Sequence, residues 1–389
     1  MIKVLDKENC CGCSACYNVC PKQCIKMKSD EEGFLYPIVD ELNCINCGLC
    51  EAKCPIVNKN IQKNEIVSYV GINKCDSERA ISTSGGIVGA INEYVIEKLN
   101  GVAYGVIYDS GFMPVHARIT TKKDALLFCG SKYAQSYVGD TFNLVKNDLE
   151  SGKNVVFTGT PCQVAGLKSF LGQEYTGLIT IDMVCRSIPS PKLWKKYLEW
   201  QENRYKSQID RVNCRAKTYG YHNGTLTIQF KNGKRYTGSN RVDLYMKAFH
   251  NDICSRPSCY KCNFKDIERS SDFTIFDSWN ANYVTDGLYS DDNKGCSNII
   301  CRSKKAFDLI NSIDNIELYN ASMTKMFEYS GGMESKSISY NEKRRFFYKD
   351  LENIGFEKTI ISRIEITIVD YVIEKIKPLY FNVLRRGRK

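Results

Sequence analysis

Histidine is almost missing from this sequence, with 3 residues in 389 against 20 cysteines. None of His116, His222 and His250 stands beside a serine or carboxylate motif, so imidazole-based triads and dyads are not indicated and each is read as structural. No acid–base residue can be named from the sequence. No run of 18 apolar residues occurs, which argues against a membrane-spanning helix. The first cysteine stands at position 10, leaving no room for the charged and apolar regions of a secretory leader. A disulfide framework belongs to short secreted chains, so the expectation is a reducing, cytoplasmic setting with thiols used for metal.

Charge of one sign is in short supply. The chain has 44 acidic against 54 basic side chains, a formal net of +10. Metal groups held by thiolates carry negative charge of their own and would offset part of that excess. Basic and aromatic residues are not interleaved in any recognisable motif, and no nucleic-acid partner is expected. The length suits two or three domains.

What is present begins with a duplicated motif. Cys10, Cys13, Cys16 and Cys20-Pro21 have the spacing C-x2-C-x2-C-x3-C-P, and Cys44, Cys47, Cys50 and Cys54-Pro55 repeat it. Thiolates at every third residue wrap three corners of a cubane, while the fourth reaches the other cluster. Cys10, Cys13, Cys16 and Cys54 are therefore assigned to a first cluster, and Cys44, Cys47, Cys50 and Cys20 to a second. Zinc knuckles are the alternative, but zinc gives no reason for a duplicated three-plus-one pattern. Gly12 and Gly48 are read as close backbone approaches to sulfide, and Cys11 and Cys24 as packing residues.

A polar linker, Asn58 to Glu65, follows, and the texture then alternates. Ile66–Ile72, Val102–Tyr108, Val155–Thr158 and Leu178–Val184 read as strands. Val88–Leu99, Thr141–Leu149 and Gln163–Leu171 read as helices, giving an α/β core with βαβ units. Asn232-Gly233 between Leu226–Phe230 and Arg235–Gly238 predicts a hairpin. The last forty residues look helical and basic.

Three polar signatures mark this second part. Ser82-Thr83-Ser84-Gly85-Gly86 precedes a helix, where free N–H groups suit a phosphate or ribityl chain, or simply an N-cap with a glycine turn. Ser131-Lys132-Tyr133-Ala134-Gln135-Ser136 means little alone. Thr158-Gly159-Thr160-Pro161-Cys162-Gln163 puts a proline in a first helical turn and a thiol where the helix dipole favours a thiolate.

With Glu32-Gly33-Phe34, Tyr36-Pro37, Gly130-Ser131-Lys132-Tyr133, Cys185, Pro189-Ser190-Pro191, Pro257-Ser258-Cys259-Tyr260-Lys261-Cys262, Arg269-Ser270-Ser271-Asp272 and Asp277-Ser278-Trp279, these segments fall in a recognisable order. Over residues 1 to about 310 the chain resembles the coenzyme F420 hydrogenase/dehydrogenase beta-subunit family, in the version with an N-terminal two-[4Fe–4S] ferredoxin domain. The resemblance implies an α+β architecture: a bacterial-type ferredoxin domain over 1–60, an α/β FAD-binding domain over 66–320, and a basic helical C-terminal region over 321–389. It also implies FAD approached by Ser82, Thr83, Ser84, Gly85, Gly86, Lys132, Tyr133 and Thr160, and a third [4Fe–4S] cluster on Cys162, Cys185, Cys259 and Cys262. The implied function is an iron–sulfur flavoprotein oxidoreductase that passes electrons between a hydride carrier, coenzyme F420 or similar, and one-electron partners.

Two alternatives stay open. Cys254, Cys259 and Cys262 have a plant-type [2Fe–2S] spacing that would add Cys296. The chain could also be a ferredoxin-like electron-transfer subunit with no substrate of its own, or a reductase of a different organic substrate. The family usually has His-Gly after its equivalent of Cys185, whereas this chain has Arg186-Ser187, which must avoid positive φ or accept strain. A redox partner protein or partner subunit is expected. The segment Ile360 to Lys389 suits a membrane surface, a partner, or packing on its own domain.

Overall fold

In the computed structural model, residues 1–59, 67–330 and 332–386 are described, with the backbone alone for 378–386. Most of the expected linker and Ile66 lie outside the described residues, as do the last three residues of the basic tail.

The first sixty residues fold around a hairpin, β1 (Ile25–Ser29) and β2 (Leu35–Val39), which links the two cysteine loops. Each loop carries two left-handed residues at matched positions. Gly12 (φ 71°) corresponds to Asn46 (φ 52°), and Ser14 (φ 68°) to Gly48 (φ 74°). Gly12 and Gly48 are thus not each other's counterparts. A β-carbon at Gly12 would stand 2.5 Å from Gln135 Nε2, whereas at Gly48 it would meet nothing within 4 Å. Only Gly12 is demanded by close approach as well as by backbone conformation.

The second part is built on β3 (Val67–Asn73), β4 (Val102–Tyr108), β5 (Pro114–Ile119), β6 (Val155–Gly159) and β7 (Leu178–Met183). A three-stranded excursion, β8 (Ile209–Ala216), β9 (Thr225–Phe230) and β10 (Arg235–Ser239), follows, then β11 (Phe273–Asp277), β12 (Ser297–Cys301) and β13 (Ile316–Asn320). The main sheet has the order β13-β3-β12-β11-β7-β6-β4-β5. Strands β4, β6, β7 and β11 run parallel, and β6 is buried throughout, as a strand covered on both faces should be. The expected hairpin forms between β9 and β10 around Gly233 (φ 82°).

The helices Ile87–Lys98, Thr141–Glu150 and Pro161–Leu171 lie within two residues of their expected bounds. Pro161 occupies the first turn of its helix, behind a capping box of Thr160 and Gln163. Distant parts of the chain share cores. Phe34, Trp194 and Phe347 are all at most 1% exposed in one cluster, with Phe34 and Tyr348 edge to face at 5.8 Å. Arg344 holds Glu32 in a two-pronged ion pair, one arm at 2.9 Å.

Candidate iron–sulfur and cofactor site

Parallel strands end at one edge of the main sheet, and the site is assembled there. Residue Gly159 of β6 pairs with Asp182 of β7, so the segments that follow them emerge side by side. Thr160 and Cys162 open the helix after β6, and Cys185 follows β7. The loop carrying Cys259 and Cys262 is pinned beside them: Arg256 N–H donates to Ile188 O at 2.9 Å, and Cys259 N–H to Arg256 O at 2.9 Å. As a result Cys162, Cys185, Cys259 and Cys262 all line one cavity, together with Cys11, Thr160, Arg256, Lys265 and Arg269.

Electrostatics around this cavity favour an anionic guest. Burial pushes the Cys185 thiol up to about 12, with Lys265 pulling it back and the neighbouring cysteines adding to the rise. Thiols in that state ionise when a metal takes the place of the proton, and the surrounding cations then balance the charge. Lys265 itself donates to Cys185 O and Met333 O, and Arg269 holds Asp182 at 2.8 Å. Four thiols with buried cations fit a cubane here. Cys254 and Cys296 do not line this cavity, though Cys254 feels Cys259, and each is 0% exposed in a different hydrophobic cluster.

The structure gathers the ferredoxin cysteines into two neighbouring groups. Cys20 joins Cys44, Cys47 and Cys50 on the wall of one cavity. Cys10, Cys13 and Cys16 are electrostatic neighbours of one another, and both Cys10 and Cys16 also feel Cys54. Among the described residues no three His, Cys, Asp or Glu side chains converge for a single metal ion. Two residues read as packing stand closer to the sites than that. Cys24 Sγ is 3.4 Å from Cys20 Sγ, and Cys11 interacts with both Cys13 and Cys162.

The other predicted residues gather along the same sheet edge. Thr83 Oγ1 accepts from Ser131 N–H at 2.9 Å, which ties the Ser82–Gly86 loop to the Gly130–Tyr133 segment. Ser297 Oγ, at the start of β12, pairs with Ser84 Oγ and accepts from Gly85 N–H at 3.0 Å. Ser82 Oγ donates to Glu78 O at 2.8 Å. Gly86 is the left-handed N-cap of the helix Ile87–Lys98. Lys132 Nζ donates to three backbone carbonyls, of Leu127, Phe128 and Cys129, and burial holds it down to about 8. Tyr133 packs on Phe249 at 5.1 Å, and its carbonyl accepts from Tyr245. Thr160 Oγ1 lies 3.2 Å from Cys162 Sγ, so it belongs to the cluster cavity as much as to this edge.

Of the further residues here, Lys217, Arg215 and Asn298 carried no sequence signal. Lys217 Nζ donates to the carbonyls of Arg79, Ser84 and Lys294 and is also held down to about 8 by burial. Arg215 lies over the Trp279 ring at 4.5 Å and pairs with Asp277 at 3.0 Å. Thr158 Oγ1, Ser278 Oγ and Asn298 Oδ1 are buried polar atoms without a partner. The orphaned hydroxyls of Thr158 and Ser278, the desolvated ammonium groups and the glycine-bearing turns at the carboxyl edge of parallel strands fit a polar, anionic cofactor. At the departure from the family pattern, Ser187 is not among the residues with positive φ, and Arg186 pairs with Asp252. The Gly-to-Ser change is thus accommodated without a left-handed backbone.

Cysteine spacing and geometry define an iron–sulfur electron-transfer protein. Residues 9–57 match the model of a 4Fe-4S dicluster domain. Residues 152–325 match the model for the C terminus of the coenzyme F420 hydrogenase/dehydrogenase beta subunit. A chain of the F420-reducing NiFe hydrogenase complex from Methanosarcina barkeri is similar over 76% of this chain and 94% of that one, at 17% identity and a TM-score of 0.47. Comparison with curated proteins gives no match. Among the described residues no helix is long and apolar enough to cross a membrane.

Proposed function

We propose that this chain is an iron–sulfur flavoprotein oxidoreductase with three [4Fe–4S] clusters and FAD, coupling a hydride carrier of the coenzyme F420 type to one-electron partners. When bound, the flavin exchanges electron pairs and the clusters single electrons. The observation that carries this reading is the shared cavity wall of Cys162, Cys185, Cys259 and Cys262, reached by Cys11 from the first ferredoxin loop.

In this reading the chain's own residues supply geometry and charge. Cys162, Cys185, Cys259 and Cys262 would hold the third cluster, and Lys265 and Arg269 would offset its charge. Ser82–Gly86, Lys132, Tyr133 and Thr160 would hold FAD along the sheet edge. Lys132 is suited to a phosphate because its present partners are all neutral carbonyls. The helix Ile368–Arg386 exposes Ile368, Val369, Val372 and Ile376, and would meet a partner subunit or an anionic membrane surface. The cytoplasmic side is the expected setting.

Anaerobic purification with iron and flavin quantified tests the reading. About twelve iron atoms per chain and one FAD are expected. Reduction of the flavin is then followed with reduced F420, NADH and NADPH in parallel. Full iron with no flavin would instead leave an electron-transfer subunit without its own substrate.

A further inference from the structure

Arg256 is a buried cation without an anionic side-chain partner of the ordinary kind. It is 1% exposed. Its Nε donates to Cys10 O at 2.8 Å, its Nη2 to Leu35 O at 3.0 Å, and its Nη1 to Gln135 Oε1 at 3.2 Å. Every one of those acceptors is neutral. The guanidinium lies 4.1 Å over the Tyr36 ring and 5.5 Å from that of Phe34. No carboxylate pairs with it among the described residues, unlike Arg269, Arg344 and Arg186, which hold Asp182, Glu32 and Asp252.

A desolvated charge left unpaired costs several kcal/mol, so a compensating anion is required. Among the described residues, the ionisable neighbours of Arg256 are the Tyr36 phenol and three sulfurs; burial raises the phenol and keeps it neutral, which leaves the sulfurs. Its Nη2 is 3.7 Å from Cys10 Sγ, and Cys11 and Cys259 are further electrostatic neighbours. Cys10 belongs to the first ferredoxin set and Cys259 to the third set. The backbone of Arg256 is part of the Cys259 loop, while its side chain reaches across to the Cys10 loop. That reach is tight: a β-carbon at Gly12 would stand 3.0 Å from Arg256 Nη1.

We propose that Arg256 is the shared counter-cation of the first and third clusters: a positioning residue that locks the two loops together and raises the reduction potential of the cluster held by Cys10. The inference rests on the three-cluster reading above. Because the charge touches Cys10 and acts more weakly on Cys259, it stabilises the reduced form of the first cluster more than that of the third, which draws electrons from the sheet domain into the ferredoxin domain. The electron transfer it biases makes and breaks no bond, and the guanidinium keeps its proton throughout. A purely structural anchor would hold the loops together but leave the potential where it is.

The test is an EPR-monitored redox titration of the full chain, reconstituted anaerobically, with iron counted first. Arg256→Met removes the charge. Gln135→Glu leaves Arg256 and its other bonds in place but sets a carboxylate against Nη1, where the pairing keeps it ionised. Both variants are expected to lower the first cluster's midpoint by at least a tenfold change in equilibrium, about 59 mV for one electron. Arg256→Lys, which keeps the charge and loses the fork, is expected to restore at least half of that shift. If Arg256→Met loses iron, Gln135→Glu and Arg256→Lys decide the matter. Full iron with an unmoved midpoint in Gln135→Glu overturns the proposal. Only about eight iron atoms in the unmodified protein would instead overturn the three-cluster reading itself.

Discussion

Gly166 lies directly against Cys13: a β-carbon built there would stand 2.8 Å from Cys13 Cβ and 3.0 Å from its Sγ. Gly166 is four residues beyond Cys162 on the helix Pro161–Leu171, one turn along the same face. A single helix therefore carries a candidate ligand of the third cluster at its N-terminus and the floor under the first cluster about 6 Å further on. Gly166→Val overpacks that contact, at a cost of about 1–3 kcal/mol. The expected outcome is a fall in iron from about twelve atoms toward about eight, read by colorimetric iron and sulfide analysis. Retention of all the iron by Gly166→Val would show that the first cluster does not depend on this surface.

The ion pair between Arg344 and Glu32 ties the C-terminal region to the ferredoxin hairpin. Arg344 also donates to Ser255 O at 3.0 Å, and the two charged side chains are 10% and 18% exposed. Removing one partner of a largely buried pair leaves the other uncompensated, so Arg344→Met is expected to destabilise the fold by about 3 kcal/mol. Urea unfolding of the anaerobic protein measures it. The loss should persist at high salt, because a buried pair is only weakly screened.

Much of this was legible in the sequence, for reasons that differ from element to element. Cluster ligation fixes cysteine spacing along the chain, so Cys20 could be placed with Cys44, Cys47 and Cys50 before any fold was known. The βαβ alternation was visible because β6 and the helix after it have different hydrophobic periods. Arg256 was not legible. A lone arginine in a loop looks like a solvated charge, and its main partner, Cys10, is 246 residues away. Nor could the matched left-handed pairs be seen, because Asn46 and Ser14 occupy positions whose backbone conformation their names do not announce. Phe347 and Tyr348 gave no sign that they share a core with Phe34, since that contact is purely tertiary.

The ring nitrogens of His116 are buried without a partner, and its ring stacks on Phe157 at 5.5 Å. Burial lowers it from 6.5 to about 4. Between those values the unfolded chain binds the proton that the folded chain refuses. The stability contributed by the neutral ring is therefore complete above pH 6.5 and is lost as pH falls toward 4. At pH 5.5 the loss from this one group should be about 1 kcal/mol. Denaturant midpoints of the native protein and His116→Gln at pH 7.5 and 5.5 isolate it, since acid loss of iron affects both proteins alike. A difference between the two that does not change with pH would show that His116 stays neutral in both states.

Cys254 decides between the two cluster types that the cysteine spacing left open. A [2Fe–2S] site on Cys254, Cys259, Cys262 and Cys296 would need thiols that the fold holds in separate places: Cys254 sits in the core with Trp194 and Phe347, and Cys296 in the one with Val70 and Met326. Cys162 and Cys185 instead share the cavity with Cys259 and Cys262. Cys254→Ala is thus expected to keep about twelve iron atoms and lose only packing, whereas Cys185→Ala should release about four. Iron analysis of the two variants side by side separates the readings. A loss of about two iron atoms from Cys254→Ala with none from Cys185→Ala would restore the [2Fe–2S] site. The alanine at 254 also checks itself, because a fully buried thiol that only packs should lower the unfolding midpoint without changing the EPR signals of the reduced protein.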